Sequence, residues 1–65
     1  MGWTAELLTR RLEIRLDQSA GFYLYVFEGD RCTHDYLQDT LELAMEHAEK
    51  EFGVGPKLWR QTALP

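Results

Sequence analysis

The chain has 65 residues, of which 45% are apolar and 28% are charged, and this usage is typical of a folded domain rather than a disordered chain. Seven Lys and Arg against eleven Asp and Glu give a net charge of −4, which disfavours general nucleic-acid binding. A domain this short buries only about 60% of the surface that its unfolded chain exposes. Because the single cysteine excludes an internal disulfide, we expect a partner chain to add stability.

No apolar run approaches the ~20 residues of a membrane span. The start, MGWTAELL, lacks the basic region and apolar core of a secretory signal. We therefore expect a cytoplasmic protein without membrane contact. The length predicts one small domain over residues 1–65, with flexible ends at about 1–6 and 61–65. The first nine residues form either a lead-in or an extension of the first strand.

Two strands are indicated by residues 10–16 and 22–28. The first alternates apolar and charged side chains, as a half-buried strand does, and the second, FYLYVFE, is apolar on both faces. Turn residues at 17–21, DQSAG, connect them. If they close a hairpin, the apolar residues of the two strands coincide on one face. The predicted pairs are Leu16 with Phe22, Ile14 with Leu24, and Leu12 with Val26.

A Gly-Asp turn at 29–30 leads into a third strand at about 31–37. A two-residue loop would turn Asp35 toward the core, and an unpaired buried carboxylate is costly. We therefore prefer a three-residue loop over 29–31. This register turns Cys32, His34 and Tyr36 inward and leaves Thr33, Asp35 and Leu37 outside.

The apolar period changes to 3.6 after Asp39, which predicts an amphipathic helix packed on the sheet. Asp39 and Glu42 suit a capping box, and Gly53 suits the left-handed position after the last turn. Residues 57–65 form either a short fourth strand at the sheet edge or a tail that packs through Trp59. The predicted inward stripe is Leu41, Ala44, Met45, Ala48 and Phe52.

These elements predict an α+β fold of two layers. A three- to four-stranded antiparallel sheet carries one helix on one face, in the order β-β-β-α, possibly followed by β.

Reactive side chains are few. Cys32 and His34 share a face of the third strand, but a zinc site needs four ligands and the helical wheel places His47 toward solvent. A Cys–His pair on a flat strand also lacks the pocket that catalysis requires. We therefore predict no enzyme activity, no metal and no cofactor, and we expect Cys32 to be a small core residue.

The sheet face away from the helix is the candidate functional surface. The hairpin register sets Arg15, Glu13 and Arg11 against three aromatic residues, and an exposed aromatic patch on a small domain is typical of a contact surface. We predict a non-catalytic module that dimerises or binds another protein there. The alternatives are single-stranded RNA stacking on the same rings and internal cover by Trp3 or Trp59. The predicted site residues are Tyr23, Tyr25, Phe27 and Leu37, with Arg11 and Arg15 at the rim.

Residues 21–52 resemble the small HicB-type antitoxin domain. The similarity rests on Gly21 before an aromatic strand, Cys32 in the third strand, and a helix start that reads DTLE with Ala44 after it. The resemblance implies a partial double-stranded-RNA-binding-domain fold and an antitoxin-like inhibitor of a small toxin. The chain departs from that family in lacking a Pro-rich link before Cys32. The segment EFG before Trp59 is similar to short bacterial proteins of unknown function.

Overall fold

A computed structural model of the chain describes residues 1–62, so the part of the predicted flexible end beyond Thr62 lies outside the described residues. The elements in chain order are β1 (Gly2–Glu6), β2 (Arg11–Asp17), β3 (Gly21–Glu28), β4 (Arg31–Gln38), α1 (Leu41–Phe52), a 3-10 turn (Pro56–Leu58) and β5 (Arg60–Thr62). No helix within residues 1–62 is long and apolar enough to cross a membrane.

The five strands form one antiparallel sheet in the order β4-β3-β2-β1-β5, and α1 packs on one face. The predicted α+β class is confirmed, with five strands rather than three or four. The additional strand is β1, which lies between β2 and β5 because Trp3 and Ala5 pair with the core residues Ile14 and Leu12. The short edge strand expected near the end of the chain is β5, which pairs with β1.

The β2–β3 hairpin has the predicted register. Leu16 lies opposite Phe22, and the buried pairs Ile14–Leu24 and Leu12–Val26 follow along the strands. The core therefore lies between these central strands and the helix. Its buried members are Ala5, Leu12, Ile14, Leu24, Val26, Ala44, Ala48 and Val54.

The β3–β4 hairpin differs from the prediction. Glu28 pairs with Arg31, so the loop has two residues and the preferred three-residue loop is wrong. Gly29 has φ +63°, which suits the first position of a type II′ turn. The register then shifts between Phe27 and Val26, and this bulge inserts Thr33 as an extra residue.

Because of the bulge, the side chains after Thr33 point to the same sheet faces as they would after a three-residue loop. Beyond Thr33, His34 and Tyr36 pair with the core residues Val26 and Leu24 and lie on the predicted side of the sheet, but His34 is exposed there and only Tyr36 packs against the core. Cys32 precedes the bulge, pairs with Phe27 and is exposed. The prediction that Cys32 turns inward as a core residue is therefore wrong.

Helix α1 begins one residue later than the predicted cap implies. The hydroxyl oxygen of Thr40 accepts a hydrogen bond from the Leu43 backbone at 3.1 Å, so Thr40 rather than Asp39 is the N-cap. Gly53 ends the helix in the left-handed conformation, with φ +73°, as predicted. The predicted inward stripe is confirmed, because Ala44 and Ala48 are buried and Leu41, Met45 and Phe52 pack against the core.

Both tryptophans pack against the core. Trp3 pairs with Ile14, and its ring lies 5.9 Å from that of Phe22. Trp59 packs against the same buried cluster just before β5. Because the core lies on the helix side of the sheet, internal cover of the other face by these tryptophans is wrong.

Candidate functional site

The face of the sheet opposite α1, called the outer face below, carries every predicted site residue. Strand pairing arranges its side chains in rows that run across β4, β3 and β2. The three rows are Leu37–Tyr23–Arg15, Asp35–Tyr25–Glu13 and Cys32–Phe27–Arg11.

The aromatic residues of β3 form a ladder along the middle of these rows. Tyr23 and Tyr25 stack with ring centroids 5.8 Å apart and planes 18° apart, and Tyr25 lies 6.4 Å from Phe27. All three side chains are half-buried. Leu37 extends the ladder onto β4 and is 49% exposed. The ladder is therefore a continuous apolar ridge with an exposed end at Leu37.

The arginines of β2 lie over these rings. The guanidinium carbon of Arg11 is 4.6 Å from the Phe27 ring centroid, and that of Arg15 is 5.7 Å from the Tyr25 centroid. These distances are those of cation–π contacts, which attract the cation to the electron-rich ring face. The guanidinium groups therefore belong to the aromatic surface rather than to a separate rim.

Glu13 connects the two arginines. Its Oε2 accepts a hydrogen bond from Arg11 Nε at 3.1 Å, and its Oε1 accepts one from Arg15 Nη2 at 2.8 Å. The Glu13 side chain is only 13% exposed. Glu13 is not among the predicted site residues, although the alternation of β2 places it between the arginines and opposite Tyr25. The three side chains together carry one net positive charge.

The side chains of the outer face are therefore suited to non-covalent contacts. Flat guanidinium groups, tyrosine hydroxyls and aromatic edges offer hydrogen bonds and apolar area side by side. Asp35 adds a negative charge, exposed on β4 beside Tyr25, and strand pairing places Glu6 and Arg60 on the same face.

The Cys and His residues considered for chemistry lie on two different faces. Cys32 is on the outer face, whereas the His34 ring lies 5.5 Å from Phe52 on the helix side. The prediction that His47 points to solvent is wrong, because its ring lies 4.2 Å from Tyr36 and its Nδ1 lies 2.9 Å from Gln38 Nε2. No group of three or more metal-ligating side chains forms within residues 1–62.

The position of His47 has a geometric cause. It follows the buried Ala44 by three residues, which places it at the margin of the inward stripe, where α1 passes over β4. Its ring therefore faces Tyr36 rather than water.

Comparisons with family models, with curated proteins and with solved structures find no match to this chain. The similarity of residues 21–52 to the HicB-type domain stays a prediction.

Proposed function

We propose that this chain is a small non-catalytic protein-binding module and that its outer face contacts the partner, either a second copy or another protein. The observation that carries the proposal is the Tyr23–Tyr25–Phe27 ladder. It lies on the sheet face away from the helix, and no described segment packs over it. Tyr, Phe and Arg are enriched in protein interfaces, and clustered aromatic and arginine side chains carry much of the binding energy.

The arginine side chains of this surface are held in place, which also supports the proposal. Arg11 and Arg15 are each held by a hydrogen bond to Glu13 and by a ring beneath the guanidinium. Side chains that are fixed before association lose less conformational entropy when a partner binds. The outer face is therefore preorganised for a partner that accepts hydrogen bonds from arginine.

A protein fits this surface better than single-stranded RNA does. Bases stack on open ring faces, and here guanidinium groups lie over Phe27 and Tyr25. Glu13 neutralises one of the two positive charges next to the rings. The net charge of −4 opposes phosphates further.

The antitoxin-like function is a narrower form of the same proposal. In that form the bound protein is a small basic toxin, and the net charge of −4 would favour its approach. It predicts a stable one-to-one complex that dissociates more readily as the salt concentration rises.

The test compares two variants in two assays. Tyr25→Ser removes the central ring of the ladder, and Glu49→Ser changes an exposed helix residue as a matched control. Sedimentation equilibrium measures self-association, and capture on immobilised protein measures other partners. We expect Tyr25→Ser to weaken the complex about tenfold or more and Glu49→Ser to leave it unchanged. If Tyr25→Ser weakens neither self-association nor the capture of another partner, the proposal is contradicted.

A further inference from the structure

Strand β4 is an edge strand with an open side. The sheet order places β3 on one side of it, and no strand within residues 1–62 lies on the other. Edge strands present unpaired N–H and C=O groups, which natural proteins guard with Pro, Lys, bulges or short length. The opposite edge, β5, has three residues, whereas β4 has eight and contains neither Pro nor Lys. The bulge at Thr33 disrupts only its first part, so residues 34–38 form a regular edge.

We propose that a second copy of this chain pairs with this edge, antiparallel, β4 against β4. The two five-stranded sheets then join into one continuous sheet of ten strands. Such a contact is isologous, with the same strand used by both copies around a two-fold axis. The proposal goes beyond the proposed function, because it uses the edge of the sheet and leaves both outer faces open to other partners.

Strand geometry limits the possible registers. Residues directly opposite each other in an antiparallel pair point to the same face. Neighbouring residues along a strand point to opposite faces. The two-fold axis must therefore pass between the two copies of one residue, so that this residue lies opposite itself, and below the axis is named by that residue. Within the regular segment, an axis at His34 extends the pairing into the bulge at Thr33 and is disfavoured.

Charge decides among the remaining registers. An axis at Asp35 sets two carboxylates opposite each other, and an axis at Leu37 sets Asp35 opposite the partner's Asp39. Like charges directly opposite destabilise strand pairing. An axis at Tyr36 avoids both, because it places Asp35 opposite the partner's Leu37 and His34 opposite the partner's Gln38. An axis at Gln38 also opposes no like charges, but it pairs little of the edge because β4 ends at that residue. The register centred on Tyr36 is therefore the one that pairs the whole regular segment without opposed carboxylates.

The helix adds area to this contact. Five paired residues alone fall short of the roughly 800 Å² per partner that a stable interface buries. A groove of about 320 Å³ lies beside the edge on the helix side, and Leu43 in its wall is 43% exposed. Edge pairing brings the two copies of this groove together across the axis. Its lining residues are Gln38, Leu43, Glu46, His47, Lys50 and Glu51.

The groove also has charges of both signs. Lys50 Nζ lies 3.0 Å from Glu46 Oε1, and Glu51 is in the same wall. Around a two-fold axis, a surface with both signs can place lysine of one copy near carboxylate of the other. This complementarity favours a second copy over an unrelated strand.

The first test uses the sign of the charge at position 37. Leu37→Lys and Leu37→Glu lose the same leucine, but they place opposite charges against the partner's Asp35, twice in each dimer. We expect the dimer of Leu37→Lys to be about tenfold tighter than that of Leu37→Glu by sedimentation equilibrium. The difference should shrink in about 1 M NaCl. Adding Asp35→Lys to Leu37→Glu should restore dimerisation.

The second test traps the register in a Cys32→Ser background. Chains carrying Asp35→Cys and Leu37→Cys, with different masses, are mixed under mild oxidation. The proposed register sets these two positions opposite each other, at a separation that a disulfide can span. Random pairing of equal amounts of the two chains would make half of the disulfide dimers mixed, and we expect the mixed species to exceed that share clearly. A mixed share of one half or less would overturn the register.

Other outcomes separate the two interfaces. A strictly monomeric wild type overturns the edge proposal. A dimer that Tyr25→Ser abolishes and that forms no mixed disulfide is an outer-face dimer, and it also overturns the edge proposal while supporting the proposed function. A dimer that keeps its affinity in Tyr25→Ser and forms the mixed disulfide supports the edge.

Discussion

The guanidinium of Arg15 donates two hydrogen bonds to one oxygen of Glu13, from Nη2 at 2.8 Å and from Nε at 3.2 Å. The carboxylate is 13% exposed, whereas the arginine side chain is 51% exposed. A carboxylate this far from water needs charged hydrogen bonds to offset its lost hydration. Glu13 is therefore the residue that keeps both arginines over the aromatic ladder.

Replacing this carboxylate should lower stability. We expect Glu13→Gln to reduce the free energy of unfolding by about 1 kcal/mol, because two partly exposed ion pairs lose their charge. Urea denaturation at low salt measures the loss, and high salt should reduce it. Glu46→Gln is the matched control, since it breaks the exposed Glu46–Lys50 pair on the helix. Equal losses in the two variants would show that Glu13 has no special role.

Gly21 should not tolerate a side chain. It has φ +129°, and a Cβ there would lie 2.5 Å from the backbone oxygen of Gln38. We expect Gly21→Ala to lower the free energy of unfolding by roughly 2 kcal/mol or more, through backbone strain and this clash. Gly55→Ala is the control, because it has an ordinary φ of −69° and no atom within 4 Å of the added carbon. Urea denaturation of both should find only Gly21→Ala destabilised.

The helix cap can be assigned by two neighbouring substitutions. Thr40→Ala removes the hydroxyl that accepts from the Leu43 backbone, and we expect it to lower the free energy of unfolding by about 1 kcal/mol. Asp39→Ala should change it by less than about 0.5 kcal/mol, since Asp39 is exposed outside the cap. Thermal or urea denaturation measures both. A larger loss in Asp39→Ala would show that Asp39, which the sequence pattern favours, is the N-cap.

The parts of the fold in which the apolar pattern repeats several times were predictable from the sequence. In β2 and β3, alternate positions carry the core residues and a turn sequence sits between them, so one register satisfies both. Strand β1 has only Trp3 and Ala5 on its inward side, which is too short for alternation to be recognised. The β3–β4 loop was ambiguous for a different reason. A three-residue loop and a two-residue loop with a bulge give the same facing to His34 and Tyr36 and differ mainly at Cys32.

The candidate site also has a part that was predictable from the sequence and a part that was not. The positions of Tyr23, Tyr25 and Phe27 on the outer face follow from period 2 alone. The placement of Arg11 and Arg15 over those rings depends on side-chain rotamers and on hydrogen bonds to Glu13, which residue spacing does not determine.

The β2–β3 turn should make the stability of the fold depend on pH in the acidic range. Asp17 Oδ1 accepts hydrogen bonds from the Ser19 hydroxyl at 2.8 Å and from the Ser19 backbone at 2.9 Å, and these hold the pKa of Asp17 below its ordinary value of 3.8. Because the pKa is lower in the folded state, the hydrogen bonds stabilise the fold above pH 3.8 and lose this effect as the pH falls through the folded-state value.

Ser19→Ala isolates the larger of these two interactions, because it removes the hydroxyl and keeps the backbone N–H. Urea denaturation of wild type and variant, in steps from about pH 6 to about pH 2, measures the difference in unfolding free energy. Wild type should be the more stable above pH 3.8, and the difference should shrink toward zero once Asp17 is protonated in the folded state. A difference that is constant across this range would mean that the hydroxyl acts independently of the Asp17 charge.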